Sequence, residues 1–303
     1  MYDTIIVDGN NLAYKSFFIH KNFSTEIDDK IVYTGVCYGF INSLIHLKKE
    51  YLNDKGRFYV AWDRNCEYRK SIYPEYKMNR QKNDEESKRE LKNFLTQRAI
   101  LQRLLIHLGI DQVYSKGWEA DDVISTLANI KSKLGQNVLI LSSDHDYYQL
   151  ITENINLLSH KGGNNITLYD IKSFKKEFEI EPCQYYYVMC LTGCKGDNVP
   201  GVRGIGEKTA LKLIRDNPDL IENILNDNIL NKNLQGSKTV LEKVKNNIDI
   251  IKLASKLVKI YDNIEKLTYI RCKKDVEKIE YLFELLSFNS FLRPNVWKII
   301  EEL

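Results

Sequence analysis

The chain has 303 residues, of which 43% are hydrophobic and 28% charged, and this balance excludes wholesale disorder. No apolar run approaches the roughly 20 residues that a membrane-spanning helix needs. The acidic start, with Asp3 ahead of the first apolar run, is unlike a secretory leader, and six cysteines without a CxxC pair are typical of reduced thiols. We therefore expect a cytoplasmic protein with no membrane partner. Its formal net charge is +3.

Short β-rich runs alternate with helical patterns through the first half of the chain. Strands are predicted over residues 5–7, 58–62, 138–141 and 155–159, and helices over 36–51, 99–108 and 119–134. This alternation predicts an α/β domain over residues 1–170, with a central, mostly parallel sheet flanked by helices. After about residue 170, strand-like runs nearly vanish, and we expect a smaller helical domain over residues 171–303.

Aspartates stand at the ends of three predicted strands. They are Asp8, Asp63 and Asp144, and Asp146 follows two residues after the last. Ligands of parallel α/β sheets bind beyond the carboxyl ends of the strands. One such aspartate is most often a helix N-cap. Three at one edge would repel each other unless a cation lay between them, so they indicate a metal site.

Further acids extend this candidate site. Glu119, Asp121 and Asp122 begin a predicted helix, although a solvated first turn is the alternative explanation, and Asp197 lies near a glycine in the second domain. All are oxygen donors, and no histidine or cysteine has zinc spacing, which favours Mg²⁺ or Mn²⁺. Paired ions of this kind suit phosphoryl chemistry on a polyanionic substrate.

The segment from residue 64 to residue 103 mixes cations with aromatic rings. Its members are Tyr68, Arg69, Lys70, Tyr73, Tyr76, Lys77, Arg80, Lys82, Lys88, Arg89 and Lys92. A solvated loop and helix would explain them. A path for single-stranded DNA is the other explanation, because cations hold phosphates while rings stack on bases. The position directly after Asp63 favours the second.

A glycine-rich stretch over residues 201–210 is the other distinctive motif. Glu207 separates Gly206 from Lys208, so this is not a Walker loop, and no strand precedes it, so it is not a dinucleotide-binding turn. Exposed backbone N–H groups at Gly204 and Gly206, beside Lys208 and Thr209, can hold a DNA phosphate without reading its sequence. A merely structural turn remains the alternative.

Six motifs in the same order resemble those of the 5′ nuclease family, which includes phage flap endonucleases and the 5′→3′ exonuclease domain of bacterial DNA polymerase I. They are VDGN (7–10), AWD (61–63), YPEYKMNR (73–80), EADD (119–122), SDHD (143–146) and DNVPGVRGIGEKTA (197–210). The resemblance implies a PIN-like nuclease domain, a helical arch over about 64–103 and a helix–three-turn–helix DNA-binding motif over about 186–225. It also implies a monomer that hydrolyses flaps, nicks or free 5′ ends of DNA in replication or repair.

The resemblance further implies a role for each matching residue. A first ion would be bound by Asp8, Asp63, Glu119 and Asp121, with Asp122 close by, and a second by Asp144, Asp146 and Asp197. Tyr76, Lys77 and Arg80 would be catalytic residues of the arch. DNA would be contacted by Arg69, Lys77, Arg80, Gly204, Gly206, Lys208 and Thr209, and K⁺ would bind carbonyl groups of the helix–three-turn–helix motif.

Two residues depart from the family pattern. Cys194 replaces an expected carboxylate, and a thiol is a poor ligand for Mg²⁺. Lys195 adds positive charge beside it, so the second ion should bind weakly or prefer Mn²⁺. His145 stands where the family usually has lysine. Two alternatives remain open: a non-catalytic or weakly active homologue that binds branched DNA, and a metal-dependent ribonuclease.

Overall fold

Strands and helices alternate along the computed structural model, which describes residues 1–64, 66–80, 84–160, 166–228 and 234–303. The strands are β1 (Tyr2–Asp8), β2 (Ser24–Ile27), β3 (Lys30–Tyr33), β4 (Leu52–Ala61), β5 (Asp111–Tyr114), β6 (Val138–Leu141), β7 (Ile155–His160), β8 (Ile166–Tyr169) and β9 (Thr268–Ile270). The α-helices are α1 (Gly9–Ile19), α2 (Gly35–Glu50), α3 (Glu67–Ile72), α4 (Glu85–His107), α5 (Ala120–Lys133), α6 (Ile171–Phe178), α7 (Tyr185–Thr192), α8 (Glu207–Asp216), α9 (Leu220–Leu225), α10 (Lys238–Lys245), α11 (Ile248–Val258), α12 (Val276–Leu285) and α13 (Pro294–Glu301). Within these described ranges, no helix combines the length and the apolar character that crossing a bilayer requires.

The chain divides into two compact units, each assembled from separated stretches of sequence. The first unit contains Met1–Asn65, Lys82–Ser143 and Asp262–Leu303, and the second contains Cys66–Gln81 and Asp144–Tyr261. The boundary predicted at residue 170 would divide the chain once. In the structure, Asp262–Leu303 belongs to the first unit, so the division does not follow the order of the sequence.

The first unit contains a mostly parallel sheet with the strand order β6-β1-β4-β5-β9. β1 is parallel to β4 and β6, and β4 is parallel to β5. Val7 pairs with Val60 and with Leu141, so the three central strands end at the same edge. Ile5 and Ile6 have no exposed surface, because neighbouring strands and helices cover β1 on every side. The mostly parallel α/β fold expected from the sequence is confirmed.

A short antiparallel strand lies beside β5 in this sheet. β9 pairs Ile270 with Gln112 and Tyr269 with Val113. The sequence predicts only helices in this part of the chain, and β9 corrects that expectation. Three residues are too few to show the alternation by which a strand is recognised, and the pairing partner is remote in sequence.

α4 is longer than the apolar periodicity predicts. The sequence indicates a helix over 99–108, whereas α4 begins at Glu85. Asp84 caps it, because Oδ1 of Asp84 accepts a hydrogen bond from the backbone N–H of Ser87 at 2.8 Å. The first three turns are dominated by charged side chains, so the apolar stripe that marks the later turns is absent there.

Aromatic rings form much of the core of the second unit. The ring of Tyr148 lies 5.0 to 5.4 Å, centroid to centroid, from those of Tyr169, Phe174, Phe178 and Tyr185. Tyr148 belongs to the 3₁₀ turn His145–Leu150, and its partners come from β8, α6 and α7. This packing fixes the turn that carries Asp146 and that Asp144 caps, two of the candidate metal ligands.

Candidate metal and nucleic-acid site

Asp8 ends β1 and caps α1. Its Oδ1 accepts a hydrogen bond from the backbone N–H of Asn11 at 3.0 Å, and its Oδ2 accepts one from Oγ of Ser142 at 3.0 Å. Ser142 directly follows β6, so the carboxylate is held between the ends of two neighbouring strands. The N-cap role and the position at the carboxyl edge of the sheet are therefore compatible for the same side chain.

Asp63 lies two residues beyond the end of β4 and is exposed. Its Oδ1 accepts a hydrogen bond from the backbone N–H of Ala120 at 2.7 Å, at the beginning of α5, and its Oδ2 accepts one from Nδ2 of Asn10. The helix N-terminus favours negative charge at this point. Sequence reasoning missed Ser142 and gave Asn10 of the VDGN motif no role, because a neutral polar residue after a strand carries no special signal.

The acids at the beginning of α5 serve the helix end as well as the candidate site. Glu119 and Asp122 form a reciprocal capping box, in which the backbone N–H of Glu119 donates to Oδ2 of Asp122 at 3.4 Å. Both side chains are buried, and Asp121 is half-buried. A fully solvated first turn is therefore excluded for Glu119 and Asp122.

The second unit brings three carboxylates near one another. Oδ1 of Asp144 accepts a hydrogen bond from the backbone N–H of Asp146 at 3.0 Å. Burial raises the pKa of Asp146 well above its usual range, and the charges of Asp144 and Asp197 raise it further, while Lys77 opposes them. Repulsion among carboxylates gathered in this way is the electrostatic condition that a bound cation relieves.

Asp197 is the meeting point of the three residues predicted to be catalytic. The hydroxyl of Tyr76 donates to Oδ2 of Asp197 at 3.0 Å, and the guanidinium of Arg80 forms an ion pair with Oδ1. Nζ of Lys77 lies 3.6 Å from Oδ2, and the backbone N–H of Lys77 donates to the Asp197 carbonyl at 2.9 Å. Tyr76 is buried, so its role here includes positioning Asp197.

Both departures from the family pattern lie in the second unit. Cys194 and Val199 exchange two backbone hydrogen bonds, at 3.1 and 2.8 Å, and so close the turn that carries Asp197. Burial, helped by the charges of Asp146 and Asp197, raises the pKa of the Cys194 thiol to about 11. Cys194 is therefore protonated at neutral pH, which makes it a weak metal ligand. The exposed ring of His145 stacks on a buried tyrosine ring, with 5.0 Å between centroids.

The glycine turn between α7 and α8 depends on close backbone packing. A Cβ added at Gly201 would lie 2.0 Å from the carbonyl oxygen of Thr192. Gly204 has a φ of +79°, which favours glycine. Gly206 is the N-cap of α8, and a Cβ there would meet nothing within 4 Å. The turn therefore exposes backbone groups at Gly204 and Gly206 and buries the backbone at Gly201.

Cations surround the exposed part of this turn. Lys208 is exposed in the first turn of α8, with Thr209 half-buried beside it. Nζ of Lys243, on α10, lies 2.7 Å from the position that a Cβ of Gly204 would occupy. A cavity of about 830 Å³ opens against the turn and is lined in part by Arg203. Sequence reasoning missed Lys243, because no motif marks it and it lies far along the chain.

Arg69 occupies a different environment from the one expected for a DNA contact. It is buried, its Nε donates to the carbonyl of Leu257 at 2.9 Å, and a terminal nitrogen donates to the carbonyl of Lys259 at 2.7 Å. These bonds join α3 to the end of α11. This environment gives Arg69 a structural role, and its expected contact with DNA stays a prediction. Lys82, another cation of the basic segment, lies outside the described residues.

The donors fit a hard divalent cation by chemistry, since carboxylate oxygens are what Mg²⁺ and Mn²⁺ prefer. Among the residues that the structure describes, no three acidic, histidine or cysteine side chains stand together as a ready enclosure for one ion.

Comparison with known proteins identifies the family to which the chain belongs. The chain matches the model of the 5′-3′ exonuclease N-terminal resolvase-like domain over residues 3–179, and that of the 5′-3′ exonuclease C-terminal SAM fold over residues 180–278. The chain belongs to the 5′-3′ exonuclease family.

Individual relatives agree with this assignment. A 5′-3′ exonuclease of Buchnera aphidicola is 34% identical over 258 residues, which is 84% of this chain and 85% of that protein. The thermostable DNA polymerase I of Thermus thermophilus is 32% identical over 293 residues, which is 95% of this chain and 32% of that protein. The chain thus spans about a third of the length of the DNA polymerase I relatives that it matches.

Solved structures share the fold at lower sequence identity. A bacteriophage T5 flap endonuclease, determined with DNA and metal ions, superposes with a TM-score of 0.68 at 20% identity and covers 98% of this chain and 99% of that one. The catalytic core of Rad2 in complex with a DNA substrate gives a TM-score of 0.55 at 15% identity, with 94% and 86% of the two chains covered.

Proposed function

We propose that the chain is a structure-specific 5′ nuclease that hydrolyses phosphodiesters of flaps, nicks or free 5′ ends in DNA, as a monomer, during replication or repair. The observation that carries the proposal is the placement of Asp8 and Asp63 at the carboxyl edge of one parallel sheet, with Asp63 on the N-terminus of α5. The Buchnera relative and the T5 structure, both named as 5′ nucleases, support it.

The first-unit acids would hold one Mg²⁺ or Mn²⁺ ion. Asp8, Asp63, Glu119 and Asp121 are its proposed ligands, with Asp122 behind them in the capping box. An ion there would supply a nucleophilic water at neutral pH and would stabilise the departing oxygen. The chain's own contribution is to fix the carboxylates through Ser142, Asn10 and the N-terminus of α5 before the substrate arrives.

The second-unit acids would hold a weaker ion. Asp144, Asp146 and Asp197 are its proposed ligands, and Cys194 contributes a neutral thiol where the family pattern has a carboxylate. With less negative charge, this group should need more Mg²⁺ or prefer Mn²⁺. Lys77 and Arg80, which pair with Asp197 in the structure, are proposed to turn to the scissile phosphate when DNA and metal are bound, with Tyr76 holding Asp197.

The glycine turn would grip the duplex part of the substrate. Its exposed backbone at Gly204 and Gly206, with Lys208 and Thr209, would contact phosphates and so recognise shape and charge rather than sequence. Lys243 adds a cation at the same place. K⁺ is proposed to bind carbonyl groups of this motif, by resemblance to the family.

The test is cleavage of a 5′-labelled flap DNA over a titration of Mg²⁺ and of Mn²⁺. The unmodified chain should cleave, with its activity rising at higher metal concentration than that of Cys194→Asp. Asp63→Ala should abolish cleavage and leave flap binding within a few-fold, because it removes a ligand without removing a DNA contact. Normal turnover by Asp63→Ala would remove Asp63 from the proposed metal site.

A non-catalytic or weakly active protein that binds branched DNA is the second candidate, favoured by the neutral thiol at Cys194. Tight flap binding without cleavage, restored only by Cys194→Asp, would establish it. A ribonuclease explains the acids but gives the glycine turn no purpose, and a flap made of RNA in the same assay separates it.

A further inference from the structure

Behind Asn10, which fixes Asp63, stands Arg98, a side chain to which the proposed function gives no role. Oδ2 of Asp63 accepts a hydrogen bond from Nδ2 of Asn10, and Oδ1 of Asn10 accepts one from a terminal nitrogen of Arg98 at 3.2 Å. All three residues belong to the first unit. Arg98, Asn10 and Asp63 thus form a continuous chain of hydrogen bonds that ends on a proposed metal ligand.

The chemistry of the three groups gives this chain a fixed direction. A guanidinium has donors only, so the atom of Asn10 that faces Arg98 must be the amide oxygen. The amide nitrogen of Asn10 must then face Asp63. The Asp63 carboxylate has acceptors only, so it favours the same orientation of the amide, and without Arg98 the Asn10 side chain would be held from one end alone. Arg98 therefore anchors the oxygen end of Asn10 and holds its amide nitrogen against Asp63.

Arg98 is itself well placed to hold that orientation. It lies on the long helix α4, is half-buried, and its guanidinium carbon lies 6.0 Å from the ring centroid of Trp62, the residue before Asp63. The other oxygen of Asp63 is fixed by the backbone N–H of Ala120 at 2.7 Å. Both carboxylate oxygens thus have one fixed partner, and each keeps a second acceptor position for another.

We propose that Arg98 is a positioning residue for Asp63 and acts through Asn10. The inference rests on the proposed function, because it takes Asp63 as a metal ligand. Groups that orient ligands in this way typically change metal affinity or activity by about 10- to 100-fold when they are removed. The rival role for Arg98 is direct contact with a DNA phosphate, which requires no coupling to Asn10.

The test is a double-mutant cycle on Mn²⁺ binding, measured by electron paramagnetic resonance of free Mn²⁺ without DNA. Arg98→Met and Asn10→Ala should each weaken binding about 10-fold. The double variant should be no weaker than Asn10→Ala alone, because Arg98 acts through Asn10. Loss of a nearby positive charge would by itself strengthen Mn²⁺ binding, so weaker binding by Arg98→Met identifies positioning rather than charge.

Matched controls separate this effect from folding and from general charge. Arg103→Met removes the same side chain from an exposed position on α4 and should keep the Mn²⁺ affinity of the unmodified chain. Arg98→Lys retains a donor and should bind Mn²⁺ more tightly than Arg98→Met. Thermal melting establishes that each variant is folded before its affinity is compared.

Three results would overturn the inference: additive losses in the cycle, equal losses in Arg103→Met, or a weaker flap affinity of Arg98→Met with Mn²⁺ binding intact. The last would make Arg98 a phosphate contact. A chain that binds Mn²⁺ with the expected coupling but cleaves no flap refutes the proposed nuclease activity and keeps the positioning role. A chain that binds no Mn²⁺ refutes both.

Discussion

Lys77 combines a charge and a backbone conformation that are both unusual for its position. Its φ is 59°, in the left-handed region where a side chain costs about 1 to 2 kcal/mol. That geometry lets its backbone N–H donate to the Asp197 carbonyl while its ammonium reaches the Asp197 carboxylate. A strained residue that holds its charge against a candidate metal ligand is a good position at which to separate strain from chemistry.

Lys77→Ala and Lys77→Gly should slow flap cleavage equally, by about a hundredfold or more, because both remove the ammonium that would meet the phosphate. Duplex binding should change by only a few-fold in each. Urea unfolding should find Lys77→Gly at least as stable as Lys77→Ala, since glycine adopts this φ without strain. Equal losses in cleavage and in binding would make Lys77 an ordinary phosphate contact.

Asp170 couples the stability of the second unit to pH. Its Oδ1 accepts a hydrogen bond from the backbone N–H of Ser173 at 2.7 Å and another from the Ser173 hydroxyl. Both bonds lower the pKa of Asp170. Because the folded-state pKa lies below the unfolded one, the added stability is complete above about pH 4 and is lost as the pH falls through the folded-state value.

Asp170→Ala should lose about 1 kcal/mol of unfolding free energy at pH 7, and the difference from the unmodified chain should shrink below about pH 4. Asp170→Asn is the matched control, because it keeps a capping oxygen and removes the titration. The difference in unfolding free energy between Asp170→Asn and the unmodified chain should therefore change with pH, because only the unmodified chain titrates at this position. A loss that stays constant from pH 7 to pH 3 would assign the effect to packing. Urea unfolding over this pH range is the measurement.

The element between α7 and α8 offers a comparison between two glycines of one turn. Gly201→Ala places a Cβ against the Thr192 carbonyl, so the turn must shift, at a cost of about 1 to 3 kcal/mol. Gly206→Ala meets open space and should cost less, about 0.5 to 1 kcal/mol, because alanine is a poorer N-cap than glycine. Thermal unfolding and duplex binding should both fall for Gly201→Ala. Unfolding temperatures that drop equally in the two variants would contradict the packing described for Gly201.

The elements also show how far sequence patterns reach. Buried strands such as β6 match their predicted bounds, because an apolar run flanked by polar residues is a local signal. The first turns of α4 were not predicted, because their charged side chains leave no apolar stripe. β9 was not predicted, because it has only three residues and its pairing partner is remote in sequence. In the site, the carboxylates at the strand ends were visible as motifs. Arg98 lies in no motif, and Asn10 lies in the VDGN motif without a predicted role, because the roles of both arise from contacts between distant segments.

For the molecule as a whole, charge should dominate the strength of DNA binding. Because each neutralised phosphate releases counterions, log affinity should fall linearly with log salt concentration. Lys208→Ala should make that slope shallower by about 0.9, the value for one lost phosphate contact. Fluorescence anisotropy of a labelled flap between 50 and 200 mM salt, ranges over which such slopes are resolved, is the measurement. An unchanged slope would place Lys208 away from the phosphates.

The pairing of β9 with β5 also has a consequence for synthesis on the ribosome. Gln112 must wait for its partner Ile270, and at about 5 to 20 residues per second that delay is roughly 10 to 30 s. During that time the outer edge of β5 is open, with backbone groups able to pair with another nascent chain. β9 therefore covers this edge late in synthesis, and the sheet is most exposed to misassembly before residues 262–303 emerge.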